Sequence, residues 1–172
     1  FMNAGAYDGE LVQVIRWAEY LDEDGSLHRL AKDDMELGYR TSIFSKKPWL
    51  ITEACLELTK GDSVAIREKM ADLAQRRRSK QPLEFPSAGS TFKRPPGHFA
   101  GGLIEQCGLK GKSVGGAQVS EKHAGFVINT GNATCRDILD LIRLVRKTVL
   151  DQTGVTLEPE VRMLGCTLTE EN

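Results

Sequence analysis

The sequence predicts an α+β fold in two parts, a β-rich stretch over residues 1–60 followed by mixed helices and strands over residues 61–172. Three observations support this prediction. Apolar and polar residues alternate in the first part, apolar residues recur at helical spacing in two later segments, and the later strands are joined by turns short enough for antiparallel hairpins. The change of pattern at Lys60-Gly61-Asp62 is the expected boundary.

The first part is predicted to contain an antiparallel sheet. Residues 11–21 are rich in strand-forming types, Asp24-Gly25 marks a turn, and residues 26–30 return as a second strand. Residues 49–58 are predicted to form a half-buried strand. Its buried face is expected to carry Leu50, Ala54, Leu56 and Leu58.

A long helix is predicted directly after the boundary. Asp62 can cap its first turn, and the helix is expected to end at about Arg78. The basic run from Arg76 to Lys80 places cations at the C-terminus of the helix, where the helix dipole favours them. The helix is expected to bury an apolar stripe that contains Ile66, Met70, Leu73 and Ala74.

The clearest helical pattern spans Thr134 to Thr153. Thr134 and Asp137 form a capping-box signature, apolar residues follow at helical spacing, and Gly154 is the expected stop. A shorter helix is predicted over Phe99–Cys107 and is ended by a glycine.

Strands are predicted on both sides of this long helix. Residues 114–129 are expected to form two short strands around a polar turn. Residues 155–164 alternate apolar and polar side chains and are predicted to form a terminal strand of the second part. Pro159 places that strand at a sheet edge or at a distortion, because proline cannot donate to a ladder.

Composition excludes several classes of protein. The 23 basic and 24 acidic residues leave a net charge of −1, so bulk charge does not hold the chain on nucleic acid. No apolar run approaches the roughly 18 residues of a membrane span, and the first residues lack the charged and apolar regions expected of a signal peptide. The four cysteines lack CxxC spacing and the three histidines are scattered. We therefore expect no metal site, and reduced thiols in a cytoplasmic protein.

Three polar segments stand out from the packing pattern, namely residues 38–42, 86–95 and 157–162. Each alone is a weak signal, because a serine in Ala-Gly-Ser-Thr is most often a turn residue and a glutamate on an edge strand is most often solvated. The sequence contains no GxSxG elbow, Walker loop or GxGxxG fingerprint.

Taken together and in order, these segments resemble the UDP-N-acetylenolpyruvoylglucosamine reductase (UDP-N-acetylmuramate dehydrogenase) family of bacterial peptidoglycan synthesis. The resemblance covers almost the whole chain. Its motifs are Asn3 to Tyr7, Gly38 to Phe44, Lys80-Gln81-Pro82, Pro86 to Pro95, Gly108 to Gly111, Gly115 to His123, and Glu158 to Arg162. The short stretch between Phe44 and Trp49 is similar to the family's second type, which lacks an inserted substrate-covering loop.

The resemblance implies a flavoenzyme that contributes to cell wall biogenesis. In this family NADPH reduces bound FAD, and hydride then passes to C3 of the enolpyruvyl group on UDP-N-acetylglucosamine while an acid protonates C2. By motif match, Ser90 is the proton donor, and Glu160 and Arg40 bracket the substrate carboxylate. The chemistry is consistent, because a fixed guanidinium stabilises charge that builds on a carboxylate. Glu160 acts either as a neutral acid or through water.

The same resemblance implies a set of binding residues. The clearest of them is Lys80, since a lysine ammonium commonly pairs with a diphosphate such as that of UDP. Lys93 is a candidate to stabilise the serine oxyanion. Further substrate contacts are implied for Tyr39, Arg94 and His123, and flavin contacts for Asn3, Gly5, Tyr7 and Arg162. Two of these residues have an alternative without a binding role. His123 could be a solvated loop residue, and Arg162 could form an ion pair with a nearby glutamate.

The sequence has no counterpart to the family's N-terminal half, which carries the glycine- and serine-rich stretch that binds the FAD diphosphate. Residues 1–60 are therefore expected to be the end of a β-rich flavin-binding domain, and residues 61–172 an α/β-sandwich-like substrate-binding domain. The FAD site is expected to be incomplete, and the chain to be a truncated form that is inactive without the missing half. Two alternatives remain, a non-catalytic UDP-sugar-binding module and a structural remnant without a ligand.

Overall fold

A computed structural model describes residues 1–166 and 168, and it contains both helices and antiparallel sheets. The mixed α+β class predicted from the sequence is confirmed. The chain divides into two compact units, residues 1–73 and the residues from 74 onward. The division falls inside the first helix, α1, which spans Ser63–Lys80. Among the described residues, no helix is both long enough and apolar enough to cross a membrane.

The first unit contains two small antiparallel sheets. A two-stranded sheet joins β1 (Gly5–Ala6) to β2 (Gly9–Glu10). A three-stranded sheet has the order β4-β3-β5, with β3 over Ile15–Leu21, β4 over Leu27–Ala31 and β5 over Leu50–Leu56. The predicted hairpin with its Asp24-Gly25 turn is confirmed, although residues 11–13 form a short 3-10 helix ahead of β3.

An aromatic cluster forms the centre of the small core of this unit. The ring of Tyr20 stacks on the ring of Trp49 with centroids 4.2 Å apart, and Phe44 meets Tyr20 edge-on at 5.7 Å. Ile15, Ala18 and Met35 complete the buried cluster. Aromatic pairs of this kind add to the stabilisation that comes from burial alone.

The predicted orientation of β5 was wrong. The half-buried side chains are Ile51 and Cys55, whereas Leu50 and Leu56 are 64% and 49% exposed. The physical reason is a register irregularity between Glu19 and Tyr20 of β3, which places Ile51 opposite the buried Tyr20. Since β5 is an edge strand, this unit presents an apolar face beside an open edge.

Helix α1 begins where the sequence predicts. The Asp62 carboxylate accepts hydrogen bonds from the backbone N–H groups of Val64 and Ala65, which is an N-cap arrangement. Its apolar stripe, however, is not buried as predicted, because Ile66 is 47% and Met70 65% exposed. Helical spacing identifies an apolar face but does not specify what covers it.

The second unit is a four-stranded antiparallel sheet with two helices. The sheet order is β6-β9-β8-β7, and the strands are β6 (Ser87–Ser90), β7 (Ser113–Val114), β8 (Ala117–Val119) and β9 (Phe126–Asn129). The helices are α2 (Ala100–Gln106) and α3 (Cys135–Thr153). Both predicted helices and the two predicted short strands are confirmed, with β7 as an additional strand.

Helix α3 supplies the largest part of the core of the second unit. Its buried residues recur three or four positions apart and pack with strands β7 to β9 and with α2. They are Leu141, Ile142, Val145 and Val149. Burial of each such side chain contributes roughly 1.5–3 kcal/mol. Gly154 ends the helix with φ at 72°, a left-handed conformation that glycine adopts without a steric penalty.

The capping box of α3 makes the free energy of unfolding depend on pH. The backbone N–H of Thr134 donates to the Asp137 carboxylate at 2.9 Å. This bond lowers the pKa of Asp137 below its ordinary value of 3.8, with further help from the Thr134 hydroxyl and the Gly116 backbone. The unfolded chain therefore takes up the proton first as pH falls, so we expect the free energy of unfolding to decrease below about pH 4.

Urea unfolding at neutral pH and at about pH 3 tests this prediction. Asp137→Asn is expected to be less stable than the unchanged chain at neutral pH and to lose less stability on acidification. An equal loss of stability in both proteins on acidification would contradict it.

The terminal strand predicted over residues 155–164 does not form. The segment makes one isolated antiparallel bridge, between Phe92 and Pro159. Backbone hydrogen bonds join only Glu158 and Glu160 to residues 91–93, and the described residues on either side of 158–160 form no strand. The described part of this segment is not a strand of any sheet, so the expected edge strand is absent and the pairing covers only a few residues.

Candidate active site

Ser90 is the last residue of β6, and its side chain is exposed. It pairs with Phe126 of β9, after a register irregularity that follows Ser87. Its hydroxyl donates a hydrogen bond to the carbonyl oxygen of Phe92 at 3.2 Å. The hydroxyl is thus held by the protein main chain while it stays accessible from outside.

A short antiparallel pairing brings the Glu160 segment alongside Ser90. The backbone N–H of Glu160 donates to the carbonyl of Thr91 at 2.8 Å, and the N–H of Lys93 donates to the carbonyl of Glu158 at 2.8 Å. The Lys93 ammonium also forms a salt bridge with the Glu158 carboxylate. Ser90 therefore directly precedes this pairing, and Glu160 lies within it.

Thr91 connects this pairing to the sheet. Its hydroxyl oxygen accepts a hydrogen bond from the N–H of Val127 at 3.0 Å, and its own N–H donates to the carbonyl of Gly125 at 2.8 Å. Its side chain is buried at 3% exposure. The sequence analysis did not single out Thr91, although a threonine directly after the predicted serine was an available signal.

His123 lies close to the Ser90 hydroxyl because a glycine separates them. A β-carbon at Gly125 would stand 2.9 Å from Cε1 of His123 and 3.8 Å from Oγ of Ser90. The N–H of Gly125 donates to Nδ1 of His123 at 3.0 Å, which leaves Nε2 as the protonated nitrogen of a neutral ring. The structure therefore brings together Ser90 and His123, and Gly125 is a further residue that the sequence analysis missed.

The remaining predicted residues of the second unit have local contacts or exposed side chains. Arg94 donates from Nε to the carbonyl of His98 at 3.2 Å, and its guanidinium carbon is 3.9 Å from the centroid of the Phe99 ring. Lys80 is the exposed last residue of α1. Arg162 is exposed in the segment after Glu160, and that segment is not the strand on which its predicted position relied.

The predicted residues of the first unit meet at one corner. The Asn3 side chain donates to the carbonyl of Gly38 at 3.2 Å and accepts from the N–H of Val12 at 3.0 Å. Nη1 of Arg40 lies 3.7 Å from the position that a β-carbon of Gly5 would occupy. Residues 3–7 and 38–41 are thus neighbours in this unit.

The backbone of this corner is strained. Asn3, Tyr7, Asp8 and Arg40 all have positive φ, between 44° and 65°, although none is glycine. Such conformations cost free energy and cluster at functional sites. Tyr7 and Tyr39 are also 42% and 55% exposed, with the Arg40 guanidinium carbon 5.1 Å from the Tyr39 ring centroid.

Comparison with known proteins identifies the family. Residues 81–164 match the family model described as the C-terminal domain of UDP-N-acetylenolpyruvoylglucosamine reductase. Residues 81–164 therefore belong to this family of domains. The resemblance inferred from the sequence motifs is thereby confirmed, and six of the predicted site residues lie inside the matched range, namely Ser90, Lys93, Arg94, His123, Glu160 and Arg162.

Relatives named UDP-N-acetylenolpyruvoylglucosamine reductase are similar over nearly all of the chain. One from Clostridium perfringens (strain SM101) is 57% identical over 165 residues, which are 96% of this chain and 54% of the relative. One from Caldanaerobacter subterraneus subsp. tengcongensis is 52% identical over 164 residues, 95% of this chain and 54% of the relative. The chain thus spans about half the length of the curated relatives it matches.

A solved structure has the same fold. The crystal structure of UDP-N-acetylenolpyruvylglucosamine reductase (MurB) from Thermus caldophilus superposes with a TM-score of 0.80 at 34% sequence identity. The match covers 94% of this chain and 57% of that chain. The family's fold therefore extends to both units.

Proposed function

We propose that this chain is the C-terminal part of an enzyme that reduces UDP-N-acetylglucosamine enolpyruvate to UDP-N-acetylmuramate in peptidoglycan synthesis. The observation that carries the proposal is the pairing of residues 91–93 with residues 158–160, which attaches Ser90 and Glu160 to one framework. Membership of the reductase family supports the same reaction.

Ser90 is proposed to protonate C2 of the substrate. Its hydroxyl is exposed and donates its single proton to the main-chain carbonyl of Phe92, so the O–H must rotate out of that bond and toward C2 when the substrate binds. A serine is a weak acid, and loss of its proton requires stabilisation of the oxyanion that remains. The Lys93 ammonium, which pairs with the Glu158 carboxylate, and Nε2–H of His123 are proposed to supply this stabilisation.

Glu160 and Arg40 are proposed to act on the substrate carboxylate. Reduction at C3 builds negative charge on that carboxylate, and a guanidinium can pair with it through two hydrogen bonds. Arg40 is proposed to provide this pairing. Glu160, positioned by its backbone bond to Thr91, is proposed to hold or relay a proton at the carboxylate oxygen.

The corner of the first unit fits part of a flavin site. It combines exposed aromatic rings, one guanidinium and a strained backbone, which together suit a flat ring and an anionic group. When bound, FAD would supply the hydride to the substrate, and NADPH would then reduce the flavin again. Asn3, Gly5, Tyr7 and Arg162 are proposed to contact this cofactor. Because the chain spans about half of its relatives, we propose that it supplies only part of the flavin site.

The nucleotide sugar is proposed to contact basic residues of the second unit. Lys80 is exposed at the end of α1, and a lysine ammonium pairs readily with a diphosphate. Arg94 is already oriented by Phe99 and His98. Tyr39 and His123 are proposed as further contacts to the substrate.

A non-catalytic UDP-sugar-binding module is the second candidate. The observation in its favour is the bond from Ser90 to the Phe92 carbonyl, which gives that serine a structural task of its own. In such a module the basic residues would be needed and the serine would not. The two candidates therefore differ in whether bound substrate is reduced.

The test uses a longer protein, in which this chain is joined to the part of the reductase that it does not span. With NADPH and UDP-N-acetylglucosamine enolpyruvate, we expect NADPH oxidation that depends on the substrate, with UDP-N-acetylmuramate as the product by mass spectrometry. Lys80→Ala is expected to raise KM by roughly tenfold or more with a smaller change in kcat. Binding of the UDP-sugar without NADPH oxidation would favour the binding module.

A further inference from the structure

Two of the four cysteines lie next to each other although they are distant in sequence. Cys135 is the first residue of α3, and Cys166 lies in the segment that follows Glu160. Their sulfur atoms are 4.0 Å apart. Both are free thiols in this structure, as are Cys55 and Cys107.

The pair lies at one side of an apolar cavity of about 530 Å³. Ile138 and Ile142 of α3 line the cavity on one side, and Val161, Met163 and Leu164 line it on the other. Val161 packs against the buried core to which α3 contributes, whereas Leu164 is 91% exposed, and the described residues after Glu160 form no strand. Within residues 1–166 and 168, no group of three or more metal-binding side chains is found, so the two thiols are not part of a metal cluster.

We propose that Cys135 and Cys166 form a thiol modification site, which a low-molecular-weight disulfide oxidises to an intramolecular disulfide. A disulfide needs the sulfur atoms to approach to about 2.05 Å from their present separation of 4.0 Å. Residues 160–166, which carry Cys166, form no helix or strand, so rotation of the two side chains and a small backbone movement suffice. Neither residue is tied to a strand ladder that would resist this movement.

The accessibility of the two sulfurs sets the order of the steps. Cys135 is exposed, whereas Cys166 is half-buried. Partial burial, followed by the hydrogen bond with Cys135, raises the pKa of the Cys166 thiol. Cys135 is therefore the residue that meets the reagent first, and Cys166 is the residue that resolves the mixed disulfide.

The exchange balances in atoms and electrons. Cys135 loses its proton, its sulfur attacks one sulfur of the reagent RSSR, and RSH leaves after the other sulfur takes up a proton. Cys166 then loses its proton and attacks Sγ of Cys135, which releases the second RSH. The protein loses two hydrogens and two electrons, and RSSR is reduced to two thiols.

The product would tie the segment that carries Glu160 and Arg162 to the first turn of α3. Closing the loop between residues 135 and 166 restricts the unfolded chain and the local opening of this segment. The inference about the disulfide depends only on the positions of the two sulfurs, so it stands apart from the proposed reduction reaction.

The experiment exposes the folded chain to excess oxidised glutathione, alkylates the remaining thiols after denaturation, and maps the peptides by mass spectrometry. We expect a Cys135–Cys166 link, a mass lower by two hydrogens, and alkylation of Cys55 and Cys107 only. The midpoint of thermal unfolding is expected to rise by about 5 °C. Hydrogen exchange at the backbone amides around Glu160 is expected to slow.

Single substitutions test the order of the steps. Cys166→Ser is expected to stop at a glutathione adduct on Cys135, and Cys135→Ser to react roughly tenfold more slowly overall. Cys107→Ser is the matched control and should leave the link unchanged. A lasting glutathione adduct on Cys135 of the unchanged chain, or a link that involves Cys55 or Cys107 instead, would overturn the proposal.

Discussion

Replacing Ser90 with alanine is expected to slow reduction of the enolpyruvyl group by roughly 10²–10⁴-fold in the longer protein. This corresponds to about 3–5 kcal/mol of additional barrier. The flavin's reduction by NADPH should be nearly unchanged, because that half-reaction does not involve C2 of the substrate. Stopped-flow absorbance of the flavin separates the two half-reactions. The expected asymmetry between them follows directly from the proposed role of the hydroxyl as an acid.

Ser87→Ala is the matched control, since Ser87 lies at the other end of the same strand and is also exposed. It should leave both half-reactions unchanged. If the Ser90 hydroxyl only supports the turn through Phe92, then Ser90→Ala should instead lower the free energy of unfolding by about 1 kcal/mol and affect both half-reactions slightly. Oxidation of the flavin by substrate at an unchanged rate would exclude the proton-donor role.

The two long helices show what local sequence patterns can predict. Both caps were predicted correctly, at Asp62 and at Thr134, because a capping side chain acts on backbone groups two or three residues away. The burial of α3 was also predicted, whereas the burial of α1 was not. The difference lies in tertiary partners, since strands of the second unit cover α3 and no described residue buries the α1 stripe.

The errors in strands have a common origin in pairing. Periodicity placed Leu50 and Leu56 on the buried face of β5, but a register irregularity in the partner strand decided the orientation. The alternation over residues 155–164 indicated a strand, but only residues 158–160 have a backbone partner, in residues 91–93. In both places the outcome depended on a partner strand that the local sequence does not contain.

The candidate site was predicted through motifs rather than through local physics. Ser90 and Glu160 were selected by resemblance, and the structure attaches both to the pairing of residues 91–93 with 158–160. Thr91 and Gly125, which build that framework, were missed because a buried hydroxyl and a close approach have no periodic signature. Residues that support a site are recognised only once the backbone that they join is known.

Gly116→Ala is expected to cause the largest loss of stability among single substitutions considered for the second unit. A β-carbon there would stand 2.4 Å from the carbonyl oxygen of Gly131 and 2.6 Å from the backbone nitrogen of Ala133. Both are backbone atoms, so no side-chain rotation relieves the overlap. The turn between β7 and β8 would have to move away from the start of α3, breaking the hydrogen bond from the Thr130 N–H to the Gly116 carbonyl.

We expect Gly116→Ala to lower the free energy of unfolding by about 3 kcal/mol and the midpoint of thermal unfolding by roughly 10 °C. Gly102→Ala is the matched control, because it makes the same chemical change inside α2 and its β-carbon would have its nearest neighbour at 3.8 Å, an ordinary contact. That control should be neutral or more stable by up to about 1 kcal/mol, since alanine favours a helix over glycine. Equal stabilities for the two variants in urea would show that the β7–β8 turn does not press on residues 131–133, and that this connection before α3 is free to shift in the folded protein.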